Sequence, residues 1–223
     1  MGRELAQSAV ELPKPLPGFE AIHRYWDCCN GTYAAKILPG EYYVTSSYEM
    51  ITTILGSCVS ACIRDPASGI GGMNHFMLPY KQAGEHSVWE QTWVNSSTRY
   101  GNWAMEHLIN DIIKHGGRRE NMEVKVFGGG RVIATMVDVG RRNIDFVMDY
   151  LRTEGLSLAA EDVGDVYARK VNFFPKTGRV MTRYLRLLHT NTIVDREQQY
   201  LDYLKEKSTD GEIDLWLKKL TAQ

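Results

Sequence analysis

The chain has 223 residues, 43% of them hydrophobic and 24% charged, a composition that suits a soluble globular fold built on one large domain. Its formal net charge of −1 excludes a global basic field for nucleic acid. No apolar run reaches the about 18 residues that a membrane span needs, so the chain is expected not to be membrane-embedded.

The first residues carry no apolar signal core, and the expected compartment is the cytoplasm. There the four cysteines, Cys28, Cys29, Cys58 and Cys62, are thiols rather than a disulfide framework. Pro13, Pro15 and Pro17 forbid a continuous helix, so residues 1–20 read as an extended lead-in. Short strands are expected over 42–45 and 50–55. Two further apolar runs, 59–64 and 70–78, flank the turn Asp65-Pro66-Ala67-Ser68-Gly69 and predict a hairpin.

Residues 80–98 are polar and aperiodic, which predicts a long loop. Trp89 and Trp93 make this loop a natural wall for a groove that meets a folded partner surface. Trp103, Met105, Leu108, Ile109, Ile112 and Ile113 then recur at helical spacing and predict a helix from Arg99 to His115, stopped by Gly116-Gly117. A strand over 123–127 runs into Gly128-Gly129-Gly130. A second amphipathic helix is expected from about Gly140 to Glu154, ended by Gly155. Strands follow over 156–161, 167–174 and 179–188, and two short helical stretches occupy the tail from Val194. This order predicts an α+β fold with two packed β layers and the helices on one side.

The chemistry is expected in the hairpin. Cys58 follows Gly56-Ser57, and folding the second run back brings His75 toward it. An imidazole within reach of a thiol draws off its proton and makes a nucleophile for carbonyl carbon. Gly56 permits a tight approach, and the backbone N–H groups of Ser57 and Cys58 are candidate oxyanion donors. A histidine base needs a group to orient it, and either Thr52 or Thr53 can accept its second ring N–H. Were the register different, His86 would stand in for His75. A metal site from Cys58, Cys62, His75 and His86 is the rival, but these histidines lack the tight pairing of zinc fingers, and none is assigned. The triple glycine matches no phosphate-binding pattern and reads as backbone crowded near the site.

Leu55-Gly56-Ser57-Cys58-Val59, Gly71-Gly72-Met73-Asn74-His75-Phe76-Met77-Leu78-Pro79 and Lys125-Val126-Phe127-Gly128-Gly129-Gly130 resemble the chemoreceptor glutamine deamidase family CheD. So do Arg142-Asn143-Ile144-Asp145-Phe146, Glu161-Asp162-Val163-Gly164 and the run from Arg169 to Gly178, and the resemblance covers about residues 40–188. It implies a Cys58–His75–Thr52 site that hydrolyses glutamine side chains on the cytoplasmic domain of chemoreceptors without a cofactor. It also implies a layered α/β/β sandwich similar to toxin-type cysteine deamidases, methyl-ester hydrolysis in some members, and a CheC-type phosphatase as partner in some. The expected division is an N-terminal extension over 1–40, a deamidase domain over 41–190 and a helical C-terminal extension over 191–223. One departure is Gly164-Asp165, where the family often has Gly-Gly. The competing reading is a non-catalytic adaptor that docks a chemotaxis signalling partner with an inert Cys58.

Overall fold

The computed structural model describes residues 11–79, 90–132, 138–186 and 190–210. Its strands are β1 (His23–Asp27), β2 (Thr32–Lys36), β3 (Tyr42–Thr45), β4 (Glu49–Leu55), β5 (Val59–Asp65), β6 (Ile70–Asn74), β7 (Glu123–Gly128), β8 (Ser157–Val163), β9 (Arg169–Phe174) and β10 (Arg179–Tyr184). Its helices are α1 (Glu90–Lys114), α2 (Val139–Thr153) and α3 (Thr190–Asp210). The strands make two five-stranded sheets, ordered β1-β2-β4-β9-β10 and β3-β6-β5-β7-β8. The fold is mixed α+β, as the element order predicts.

The hairpin forms where the turn chemistry puts it. The Asp65 carboxylate accepts the amides of Ala67 (2.8 Å) and Ser68 (3.4 Å), and Gly69 takes the left-handed backbone at φ 69°. Cys62 then pairs with Met73, and past β6 the isolated pair Val59–Phe76 keeps the same register. Between these pairs Asn74 uses its own side chain, whose Oδ1 accepts the Ala61 amide at 2.8 Å. That places His75 just beyond the end of β6, beside the start of β5.

Helices α1 and α2 pack on the β3-β6-β5-β7-β8 sheet. A single apolar core joins Ile51 and Leu55 of β4, Val59 and Ala61 of β5, and Leu108 and Ile112 of α1. Asp138 caps α2 by accepting the Arg141 amide at 2.9 Å, and Gly155 follows the helix at φ 64°, close to the expected bounds. Helix α1 begins at Glu90 rather than Arg99. Residues 90–98 carry no apolar period, so pattern reading starts this helix late. Trp89 and His86 lie outside the described residues, as does the Trp93 side chain, and so does the second helical stretch expected beyond 210. No described helix is long and apolar enough to cross a membrane.

One stretch differs from expectation, and the family departure takes a strained backbone. Residues 1–40, read as an extension, contribute β1 and β2, and β2 runs parallel to β4 with Ala35 opposite Ile51. The proline-rich lead-in also ends in the core: Phe19 is 5% exposed and meets Tyr42 and Tyr43 edge-on at centroid distances of 5.4 and 5.3 Å. At the family departure, Gly164 (φ 81°) is followed by Asp165 at φ 69°. Asp165 therefore holds the left-handed backbone that a second glycine would adopt freely, and its carbonyl accepts the Arg131 amide at 2.8 Å.

Phe19→Ala should lower the unfolding free energy by about 3 kcal/mol, the usual cost of truncating a buried phenylalanine. Urea denaturation followed by fluorescence measures it. An unchanged midpoint would mean that the lead-in does not help hold the core.

Candidate active site

The segment Gly56-Ser57-Cys58 links the two sheets, and its peptide groups are all turned the same way. The carbonyls face outward, each to a fixed donor. Gly56 O accepts Gly130 N (2.7 Å), Ser57 O accepts Asn143 Nδ2 (2.8 Å) and Cys58 O accepts Gly129 N (2.7 Å). Asn143 is fully buried on α2, and its Oδ1 also accepts the Leu78 amide at 2.9 Å, so one side chain ties the cysteine segment to the histidine segment. The triple glycine lets these chains close: a Cβ on Gly128 would strike Cys58 O, and one on Gly140 would strike Gly129 O. This agrees with its reading as crowded backbone.

With the carbonyls outward, three N–H groups point inward and converge. They meet a carboxylate, Glu197 of α3. Gly56 N (2.8 Å) and Cys58 N (3.2 Å) donate to Oε1, while Ser57 N (2.7 Å) and Ser57 Oγ (2.6 Å) donate to Oε2. The expected donors Ser57 and Cys58 are thus joined by Gly56, whose missing side chain makes room: a Cβ there would lie 2.7 Å from Glu197 Oε2. The four bonds form a cradle for an anion, of the kind that can hold a carbonyl oxygen gaining negative charge.

His75 and Cys58 come together as the hairpin predicts. The Cys58 Sγ, a His75 ring nitrogen and a Glu197 oxygen lie within 4.8 Å of one another. The third group differs from expectation: His75 Nδ1 lies 2.8 Å from Thr53 Oγ1, whereas Thr52 Oγ1 donates to Asn172 Oδ1 at 2.7 Å. The strand's alternation is the reason. Thr53 shares a face of β4 with the core residues Ile51 and Leu55, while Thr52 lies directly opposite Asn172 of β9. Counting back from the cysteine selects Thr52; facing the imidazole selects Thr53.

This contact sets the tautomer. Thr53 Oγ1 donates its only proton to the Ile37 carbonyl at 2.7 Å, so toward His75 it can only accept. His75 therefore carries its proton on Nδ1 and leaves Nε2 as an unprotonated base, and Nε2 has no hydrogen-bond partner among the described residues. A buried, unprotonated ring nitrogen is a group that can accept a thiol proton. Burial, and secondly the charge of Arg196, lower the His75 pKa from 6.5 to about 3. Burial and then the negative charge of Glu197 push the Cys58 thiol well above its ordinary value. The resting pair is thus neutral.

Among the described residues the thiol is closed off, and most of the loop expected to wall a groove, residues 80–89, lies outside them. Cys58 is fully buried, with Glu197 beside it and Tyr100 and Tyr200 joined through their hydroxyls nearby. An open cavity of about 340 Å³ reaches His75, Thr52 and Thr53 from another side, lined also by Lys36, Lys170 and Arg196. Of the rival metal set, Cys62 sits on β5 opposite Met73, with its thiol also raised by burial. Cys58, His75 and Glu197 carry donor atoms a metal could use, but the Glu197 oxygens are already committed to four hydrogen bonds. Sequence reading misses Glu197, yet a signal exists: it stands three, four and seven residues before the buried Tyr200, Leu201 and Leu204, a carboxylate on an apolar stripe.

The family model CheD, for CheD chemotactic sensory transduction, matches residues 77–184, a span that begins after Cys58 and His75. Matches to curated proteins run over nearly the whole chain. It is 52% identical over 207 residues to the probable chemoreceptor glutamine deamidase CheD of Halorhodospira halophila, covering 93% of this chain and 95% of that protein. Identity to the proteins of the same name is 49% over 213 residues in Hahella chejuensis, covering 94% of this chain and 99% of that protein. In Saccharophagus degradans it is 46% over 213 residues, covering 95% and 97%.

Two measurements test the geometry. Nitrogen NMR of the imidazole should show a single Nδ1–H tautomer that becomes mixed in Thr53→Ala and stays single in Thr52→Ala; the reverse pattern would mean that Thr52 anchors the ring. The second concerns pH. The unfolded chain protonates this histidine below about pH 6.5, and the folded one does so only near pH 3. Its contribution to stability is therefore whole above 6.5 and is lost as pH falls through that window. His75→Gln should flatten the decline between pH 6.5 and 3 in a denaturation series. An unchanged slope would show that His75 takes up a proton in the folded state.

Proposed function

The chain belongs to the CheD family, and from that premise we propose that it hydrolyses glutamine side-chain amides on the cytoplasmic helices of chemoreceptors, with Cys58 as nucleophile, His75 as base and Thr53 setting the imidazole's tautomer. The observation that carries this reading is the pairing of a one-way proton path with an amide cradle. The path runs from His75 Nδ1 to Thr53 to Ile37 O and frees Nε2, and the cradle lies within reach of the same sulfur.

In the proposed reaction the glutamine carbonyl oxygen enters the cradle of Gly56, Ser57 and Cys58 N–H groups. His75 Nε2 takes the Cys58 proton as sulfur bonds to the amide carbon, and the amides hold the oxyanion. The imidazolium then gives its proton to the leaving nitrogen, ammonia departs and a thioester remains. Water, deprotonated by His75, hydrolyses the thioester to glutamate and restores the thiol. The same steps cleave a glutamyl methyl ester with methanol in ammonia's place, and we extend the proposal to that side activity. A layered architecture shared with toxin-type cysteine deamidases, regulation by a CheC-type phosphatase and a cytoplasmic setting complete this reading.

The adaptor reading draws support from one observation, the complete burial of Cys58. Amide-to-acid mass shifts in receptor fragments separate the two. Wild-type protein should convert specific glutamines and Cys58→Ala should convert none, while Cys62→Ala keeps its activity. His75→Ala should lower kcat by about 10²–10⁴-fold, the usual weight of a positioned base. Thr53→Ala should reduce kcat more than Thr52→Ala. Conversion that survives Cys58→Ala would overturn the assignment, and no conversion by any form would favour the adaptor.

A further inference from the structure

Resting on the deamidase reading, we propose that the seat of α3 is the surface on which the substrate helix docks, and that α3 occupies it as a built-in copy of the product helix. Deamidation turns a side-chain amide into a carboxylate. In this structure the cradle already holds a side-chain carboxylate, presented from an α-helix of the chain itself, with a Glu197 oxygen within 4.8 Å of both the Cys58 sulfur and a His75 nitrogen. Glutamate is the residue that the reaction leaves behind, so Glu197 is seated as a product would be.

The fit extends beyond one side chain. Tyr200, Leu201 and Leu204, on the same face as Glu197, are 1%, 0% and 5% exposed. Tyr200 lies over Gly40, where an added Cβ would meet its hydroxyl at 3.0 Å. The seat therefore recognises a helix that carries a glutamine or glutamate followed by apolar residues three, four and seven positions on. A receptor helix of that pattern reaches Cys58 by the route α3 now fills, because the thiol is sealed while α3 is in place. A tethered competitor acts at an effective concentration on the order of millimolar, enough to compete with a free receptor helix.

If the seat is productive, a glutamine placed in it is a substrate. In Glu197→Gln the side-chain carbonyl meets the cradle, Cys58 displaces ammonia, and water releases the acid, so that glutamine plus water gives glutamate plus ammonia. Purified full-length E197Q should convert residue 197 to glutamate, read by peptide mass spectrometry, and the double variant E197Q with Cys58→Ala should retain glutamine. In Glu197→Ala, receptor-fragment turnover and Cys58 alkylation should both rise, by about tenfold if one tenth of the wild-type population is open. Glutamine persisting at 197 in an E197Q protein that still deamidates receptor fragments would overturn the docking proposal and leave the deamidase reading standing. Turnover falling in a folded Glu197→Ala protein would also overturn it, by making Glu197 part of the machinery. Neither residue 197 nor receptor glutamines being converted would sink both.

Discussion

Everything at this site depends on the orientation of three consecutive peptide groups. Gly56, Ser57 and Cys58 turn their carbonyls toward Gly130, Asn143 and Gly129 and their amides toward the reacting space. Buried backbone polar groups must find partners, and here the outward partners are all rigid: two glycine amides at a strand end and one buried asparagine on a packed helix. The cradle is therefore built before any substrate arrives, as the proposed reaction requires of groups that stabilise developing charge without reorganising. The same device explains why so many close backbone approaches concentrate between residues 128 and 140.

The second constraint is charge in a dry site. Burial keeps His75 neutral and Cys58 protonated, and the nearby Glu197 carboxylate reinforces the thiol form. Exchanging that carboxylate for an uncharged substrate amide, as the proposal has it, removes both its negative charge and its hydrogen bond, which together with burial hold the proton on sulfur. In the proposed reaction substrate arrival and nucleophile activation are coupled through electrostatics, because the carboxylate that the substrate would displace also raises the thiol pKa. A neutral, fully buried thiol is also shielded from stray oxidation and alkylation.

Much of this is legible in the chain. The turn residues Asp65 to Gly69 specify a hairpin, and the hairpin brings His75 to Cys58. The helical periods of α1 and α2 and the glycine that ends α2 locate the layer over the second sheet. What resists reading has physical causes. Thr52 and Thr53 are 3% and 4% exposed, so β4 is buried on both faces and polarity does not reveal which threonine turns to the imidazole. The strands β1 and β2 precede the recognisable motifs and are fixed by long-range pairing with β4, which local pattern cannot supply. Glu197 acts about 140 residues downstream of its partners, a separation at which only the anomaly of a carboxylate on an apolar helix face is visible.

The central claim, that Cys58 attacks a receptor glutamine held in the amide cradle, predicts a covalent species. Acid quenching during the first turnover with a receptor fragment, followed by intact-mass and peptide analysis, should find that fragment joined to Cys58 as a glutamyl thioester, with ammonia already lost. The adduct should vanish in Cys58→Ser under conditions that accept no oxygen ester. A fragment attached to any other residue, or steady glutamate production with no Cys58 adduct at any quench time and undiminished turnover in Cys58→Ala, would contradict the account.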